Sequence, residues 1–304
     1  MIEFTNVSKE YKNVFPPRTT EALKDLTLTI ERGEVVGVAG PNGAGKTTML
    51  ALALGFLRPT HGTVRIDGDP PRHHVEKHGV AYLSELVAIP TWWTVAGALK
   101  RYSVLAGVKE RDRKRRVGEA IERLGLEEHR SKRIKQLSKG NLQRLGLTQA
   151  LLSDSDLVVL DEPTHGLDPL WTQRFRDMVI DLRRDDRAII IASHNLDELE
   201  RLADRVAILD KGALSREVST HHAPSGEVQH YRLVLQGEHD SVLAAFPGAE
   251  RVEDARQVMY DVCGGLADLN AGLARFLADG GQVQAFFPAR SRLEAAFREA
   301  VGEE

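Results

Sequence analysis

The stretch "GEVVGVAGPNGAGKTTMLALALGFL", residues 33–57, decides the architecture. Val35, Val36 and Val38 predict a buried strand, and Met49 to Leu57 predict an apolar helix. Between them "GPNGAGKT" (40–47) has the spacing G-x-x-x-x-G-K-[ST], with the strand before it and the helix after it that a phosphate-cradling loop requires. Gly40, Gly43 and Gly45 let the backbone close around an anion. Loop N–H groups and the helix N-terminus then meet its charge. Lys46 is placed to reach β- and γ-phosphates, and Thr47 to offer a hydroxyl to Mg²⁺.

A second element completes that chemistry. "LVVLDEP" (157–163) is apolar on both faces, as in a parallel strand covered by helices. Asp161 ends this strand and is placed to hold Mg²⁺ directly or through water. Glu162 follows it and is placed to polarise an attacking water. A helix-capping carboxylate is the plainer reading of such a pair, and the phosphate loop upstream weighs against it.

Outward from these motifs, "IEFTNVSKEY" and "LKDLTLTIERG" alternate like strands of an antiparallel sheet. Residues from about 90 to 140 turn helical and charged. "RFRDMVIDLRRDD" predicts a helix and "AIIIASH" another buried strand. Strands alternating with helices give an α/β core with an antiparallel flank and a helical subdomain. This first domain is expected over 1–218. A polar stretch, 219–227, reads as a linker. Residues 228–304 carry short strand patterns ("YRLVLQ", "QVMYDV", "QVQAFF") and helical ones ("GLADLNAGLARFLADG", "SRLEAAFREAV"), a small α+β domain.

Composition narrows the classes. The chain has 304 residues, enough for two domains, with 42% hydrophobic and 28% charged residues. The net charge of −3 offers no global field for nucleic acid or an anionic membrane. The basic run "KERDRKRR" (109–116) precedes "EAIERLGLEEH", so i,i+4 ion pairs on a solvated helix account for it. One cysteine, Cys263, excludes an internal disulfide and fits a reducing cytosol. The N-terminus lacks the apolar core of a signal peptide, and no apolar run approaches the roughly 20 residues of a membrane span. His73, His74 and His78 offer i,i+4 histidines, without an acidic or cysteine partner nearby in sequence.

With these motifs in order, the chain resembles the nucleotide-binding subunit of an ATP-binding cassette (ABC) transporter. The family signature, usually L-S-G-G-Q, stands here as Leu137-Ser138-Lys139-Gly140-Asn141. Lys139 replaces a glycine and Asn141 the glutamine. The resemblance implies that Ser138 and Gly140 bind the γ-phosphate of ATP held by the other subunit of a head-to-tail dimer. A hydroxyl, a backbone N–H and a helix dipole suit that anion. Pro41, Asn42, Ala44 and Thr48 complete the ATP-binding loop around Gly40, Gly43, Gly45, Lys46 and Thr47.

Further family elements follow. "HGLDP" (165–169) resembles the D-loop, with Asp168 bridging subunits. "ASHN" (192–195) resembles the switch, with His194 on the γ-phosphate; a histidine after a strand is otherwise a structural residue. Tyr11 resembles the aromatic that stacks on adenine, with Phe15 as a rival across the insertion "NVFPPRTT". Glu85 stands where the family has a glutamine that touches Mg²⁺. Trp92 and Trp93 fall where the membrane subunit docks, and are read either as interface anchors or as packing residues.

The resemblance covers about residues 2 to 215. It implies an ATPase that dimerises around two ATP molecules, as a homodimer or a heterodimer, and drives a separate transmembrane permease from the cytoplasmic face of the cell membrane. One cassette, no span and a C-terminal extension look like exporters of drugs, lipids or polysaccharides. No nucleic-acid partner is expected. The alternative is a soluble ABC ATPase acting on ribosomes or nucleic acid. The former usually carries two cassettes. The chromosome-type relatives need a long coiled coil, and the roughly 90 residues from Lys46 to Leu137 show no sustained heptads.

Overall fold

The computed structural model describes residues 2–13, 18–148, 152–220, 229–237, 239, 241–252, 257–288 and 292–302. The chain divides into two compact units, Met1–Val218 with Phe297–Glu304, and Ser219–Ala296. From residue 221 onward the linker expected at 219–227 lies outside the described residues.

Two sheets build the first unit. In one, β1 (Ile2–Asn13) pairs antiparallel with β2 (Arg18–Ile30) on one side and β4 (His61–Ile66) on the other. Ile2, Phe4 and Val7 face Leu23, Leu26, Leu28 and Ile30 in a closed core, which is the period-2 pattern of the sequence made solid. The other sheet has six strands in the order β5–β6–β7–β3–β8–β9. They are β3 (Val35–Ala39), β5 (Ala81–Leu83), β6 (Leu157–Asp161), β7 (Ala188–Ala192), β8 (Arg205–Asp210) and β9 (Ala213–Ser219). The pairs from β5 through β8 are parallel. Every residue of β3, β6 and β7 is buried, as a sheet covered on both faces demands.

Register fixes the site. Val38 on β3 and Asp161 on β6 both lie beside Ala192 on β7. The residues that follow these strands therefore leave the same carboxyl edge of the sheet, where open α/β sheets bind ligands.

Helix α1 (Lys46–Ala53) stops short of the expected Leu57. The Phe56 N–H bonds to Ala51 O (2.9 Å) and the Gly55 N–H to Leu52 O (3.1 Å), with Gly55 at φ +70°, which is a Schellman ending. Helix α2 (Pro71–His78) lies between β4 and β5, and the helical segment that follows comprises α3 (Val95–Leu105), α4 (Glu110–Arg123) and α5 (Lys139–Gly146). On α4 three arginines of the basic run are engaged, one of them within the helix. Arg115 pairs with Glu119 at 2.8 Å, Arg113 Nε donates to Val108 O at 2.9 Å, and Arg116 donates to Leu152 O at 3.2 Å. Two more helices, α6 (Pro169–Leu182) and α7 (Leu196–Leu202), flank β7 in sequence.

The second unit holds an antiparallel sheet ordered β11–β12–β10–β13, from β10 (Gln229–Leu235), β11 (Glu250–Val252), β12 (Val258–Gly264) and β13 (Val283–Pro288). Leu233, Leu235, Val262, Phe246, Leu269 and Phe276 form its core. Its main helix is α9 (Leu266–Ala278), after the short α8 (Val242–Ala245). Strand β11 and helix α8 are additions to the pattern read from sequence. They are too short for periodicity to reveal. The last helix, α10, is Arg292–Val301.

Candidate nucleotide-binding site

The phosphate loop is built by strain that only glycine tolerates. Gly45, the residue before α1, has φ +106°, and a Cβ there would lie 2.5 Å from Ala22 O on β2. Helix α1 starts with no side-chain cap and no acidic residue in its first turn. Its end is therefore free for an anion. Lys46 is only 9% exposed, and its Nζ donates to Gly40 O (2.6 Å) and Pro41 O (3.2 Å). The ammonium is thus held inside the loop by its own carbonyls.

Asp161 and Glu162 are buried. Burial, then the charges of Glu162 and Glu85, push the Asp161 carboxyl up to about 6, against the pull of Lys46 and a hydrogen bond from Thr47. Thr47 and Glu85 are therefore each close enough to act on Asp161. Together with Lys46 and Glu162 they form one electrostatic group. Glu85 itself is exposed, in the loop after β5.

Glu162 has φ +48°, a left-handed conformation uncommon for a residue with a side chain. Its N–H bonds to Ala192 O at 2.9 Å. Its carboxylate accepts from the backbone N–H of His194 (3.1 Å), from Ser193 Oγ (3.4 Å) and from His194 Nδ1 (2.7 Å). A carboxylate only accepts, so His194 carries its proton on Nδ1 and keeps Nε2 for another partner.

Ser138 and Gly140 sit at a different place. Ser138 Oγ accepts from Asn141 N at 3.3 Å and caps α5. Gly140 lies so close to the segment after β6 that a Cβ would come within 2.9 Å of Gly166 O. Among the described residues, no hydrogen bond links Ser138 or Gly140 to residues 40–48. Asp168 caps α6, its Oδ1 accepting from Trp171 N at 2.9 Å. Tyr11 is 40% exposed on β1, opposite Thr20 of β2, two residues from the Ala22 carbonyl that abuts Gly45. Phe15 lies outside the described residues. Trp92 is 71% exposed, while Trp93 lies under the Arg101 guanidinium at 4.3 Å.

Sequence reading missed several supports. Buried Gln143 donates to Glu162 O (3.2 Å) and Pro163 O (3.1 Å), which ties α5 to the end of β6. Its signal was a polar residue one turn past Gly140, amid leucines. Arg144 stacks on Trp171 at 3.7 Å. Lys139 Nζ reaches His165 Nε2 at 3.0 Å. One of the helical histidines, His74, does have acidic neighbours, brought to it by the fold and not by the sequence around it. His74 Nε2 is 3.2 Å from Asp156 Oδ1, with Asp67 beside them, residues far apart in sequence. Arg32 bonds Asp67 closely and Asp156 at 3.4 Å, so an arginine supplies the balancing charge there.

The family model for ABC transporters matches residues 23–165. An ABC transporter ATP-binding protein of Synechocystis sp. is 34% identical over 249 residues, covering 81% of this chain and 70% of its own. The ABC transporter ATP-binding protein NatA of Bacillus subtilis is 32% identical over 216 residues, 70% of this chain and 87% of its own. The dimeric ATP-binding cassette MJ0796 bound to ADP and Pi shares the fold, with a TM-score of 0.67 at 23% identity, over 73% of this chain and 100% of that one. The chain belongs to the ATP-binding proteins of ABC transporters. It is an ATP-binding, ATP-hydrolysing subunit with the α/β cassette fold implied by its sequence.

Proposed function

We propose that two copies of the cassette close around two ATP molecules, each held by the phosphate loop of one chain and by Ser138 and Gly140 of the other. The observation that carries this reading is the separation within one chain. The loop at 40–48 is complete, whereas the capped start of α5 is exposed and bonded to no part of that loop. A solvated helix start with a hydroxyl is half of an anion site. The partner is a second copy or a homologous subunit.

Within each site Lys46 and the loop N–H groups hold the phosphates, and Tyr11 stacks on the base. Asp168 lies at the subunit junction. Thr47, hydrogen-bonded to Asp161, and Glu85, near enough to act on Asp161, offer with it the oxygen ligands that would suit Mg²⁺. The ion would neutralise charge on the phosphate oxygens. Glu162 orients and polarises the attacking water, and His194 holds that carboxylate in place while offering Nε2 to the γ-phosphate. Glu85, in place of the family glutamine, brings charge where the amide would bring a donor.

The closing and reopening of the pair drive a transmembrane permease. No helix among the described residues is long and apolar enough to cross a membrane, and exposed Trp92 offers an aromatic anchor for a partner. The subunit would then sit peripherally on the cytoplasmic face. A single cassette with a C-terminal unit supports export. The Arg115–Glu119 pair on α4 and the net charge of −3 speak against nucleic acid as the partner.

Affinity capture of Glu162→Gln from detergent-solubilised cells with ATP tests this reading, because slow hydrolysis keeps the closed complex together. A polytopic membrane protein in the eluate is the expected result. Ribosomes or nucleic acid without such a protein would leave the ATPase chemistry standing and sink the transport role.

A further inference from the structure

Lys139 occupies an electrostatically poor place. It is the first residue of α5, where the helix dipole disfavours a cation, and it stands where the family has glycine. Its stem packs over Gly166, where a Cβ would meet the Lys139 methylenes at 3.2–3.3 Å. Its ammonium contacts His165 Nε2 at 3.0 Å. A lysine has only donors, so His165 accepts on Nε2. That ring stands edge-on to His194, with centroids 6.3 Å apart and planes at 88°. His194 in turn donates to Glu162 at 2.7 Å. The line Lys139–His165–His194–Glu162 thus runs from the exposed start of α5 to the catalytic carboxylate of the same chain. Gln143 pins α5 to the end of β6 by two hydrogen bonds, so a shift at the helix start is taken up by side chains along this line.

We propose that Lys139 and His165 are positioning residues that link the two nucleotide sites. Lys139 spends one donor on His165 and keeps two for phosphate oxygens. A γ-phosphate arriving at Ser138 and Gly140 from the partner subunit engages the same ammonium, and the lysine then sets the His165 and His194 rings that aim Glu162 at the chain's own ATP. The link rests on the dimer reading above. It adds a specific route by which one bound nucleotide governs hydrolysis of the other.

The test uses the full chain and measures ATP turnover, its dependence on ATP concentration, ATP binding and Tm for Lys139→Met, His165→Ala, the double variant and Lys139→Arg. Methionine keeps the stem that covers Gly166 and removes only the donors. The expected result is a kcat lower by about tenfold in each single variant, the scale of a modestly misplaced catalytic group. The Hill coefficient should fall from near ~2, the ceiling for two sites, towards ~1. ATP binding by the lone chain, which lacks the partner's Lys139, and Tm should not change. The double variant should be no worse than either single one, because both cut the same line, and Lys139→Arg should restore most of the loss. Unchanged turnover and cooperativity would overturn the proposal. So would single losses that multiply in the double variant, or losses that track ATP binding by the lone chain or Tm. Wild-type turnover insensitive to Lys46→Ala would instead overturn the site assignment on which the proposal rests.

Discussion

Lys46 opens α1 directly after a buried strand, and Lys139 opens α5 at the far end of the helical segment. Both sit at helix starts that favour anions. Lys46 is 9% exposed and folded onto two loop carbonyls, and its helix has no capping side chain. Lys139 is exposed, rests on a histidine, and its helix is capped by Ser138. The first arrangement is preformed and needs only the ligand. The second is satisfied without a ligand, and in the proposed dimer it becomes a phosphate site only when another chain brings one. On that reading, burial separates the half that binds from the half that senses.

The largest expected effect breaks the first half. Lys46→Ala should abolish ATP binding, seen as loss of heat in a calorimetric titration, and turnover with it. Glu162→Gln should keep binding and lower turnover by ~10²–10⁴-fold, read from phosphate release. If these two variants behaved alike, binding and hydrolysis would not be divided between Lys46 and Glu162 as described. Gly140→Asp attacks the second half. It places a carboxylate against Gly166 O, already within 2.9 Å of a Cβ, and beside the incoming phosphate. Turnover and ATP-driven dimerisation should be lost while the lone chain still binds ATP.

A smaller effect follows from pH. Burial and the neighbouring carboxylates push Asp161 up to about 6, so below that pH it holds a proton that Mg²⁺ bound as proposed would have to displace. Mg²⁺ affinity should be steady above about 7 and fall by at most about tenfold per pH unit below 6. A titration of Mg²⁺-dependent binding across pH 5 to 8 reads this directly. Without metal the sign for stability is the reverse. The native state retains the proton between the ordinary value and about 6, so the unliganded fold gains stability from this group as pH falls through that window. Smallest is Ser138→Ala, which removes the α5 cap and should cost about 1 kcal/mol in a denaturant titration.

The same contrast explains what could be read in advance. The phosphate loop is local: strand, glycines, lysine and helix are contiguous, and the pattern in residues 33–57 carries its own context. Asp161 and Glu162 follow a wholly apolar strand and were legible for the same reason. The resemblance of Leu137 to Asn141 named the signature, but what Lys139 does depends on His165, 26 residues away, through the turn after β6. Gln143, Trp171 and the pairing of His74 with Asp156 are likewise tertiary facts, fixed by how α5, α6 and α2 pack and not by any period along the chain. In the second unit, β11 is three residues long, below the length at which alternation can be seen.

The backbone at Glu162 has a further consequence. A left-handed φ of +48° costs about 1–3 kcal/mol for a residue with a side chain, and glycine adopts it freely. Glu162→Gly would therefore make the chain inert, and the strain it relieves is set against the three hydrogen bonds that the carboxylate accepts from Ser193 and His194. The strain is carried by the same side chain that ties the end of β6 to the turn after β7, so the backbone cost at this position is met by contacts that also aim the carboxylate.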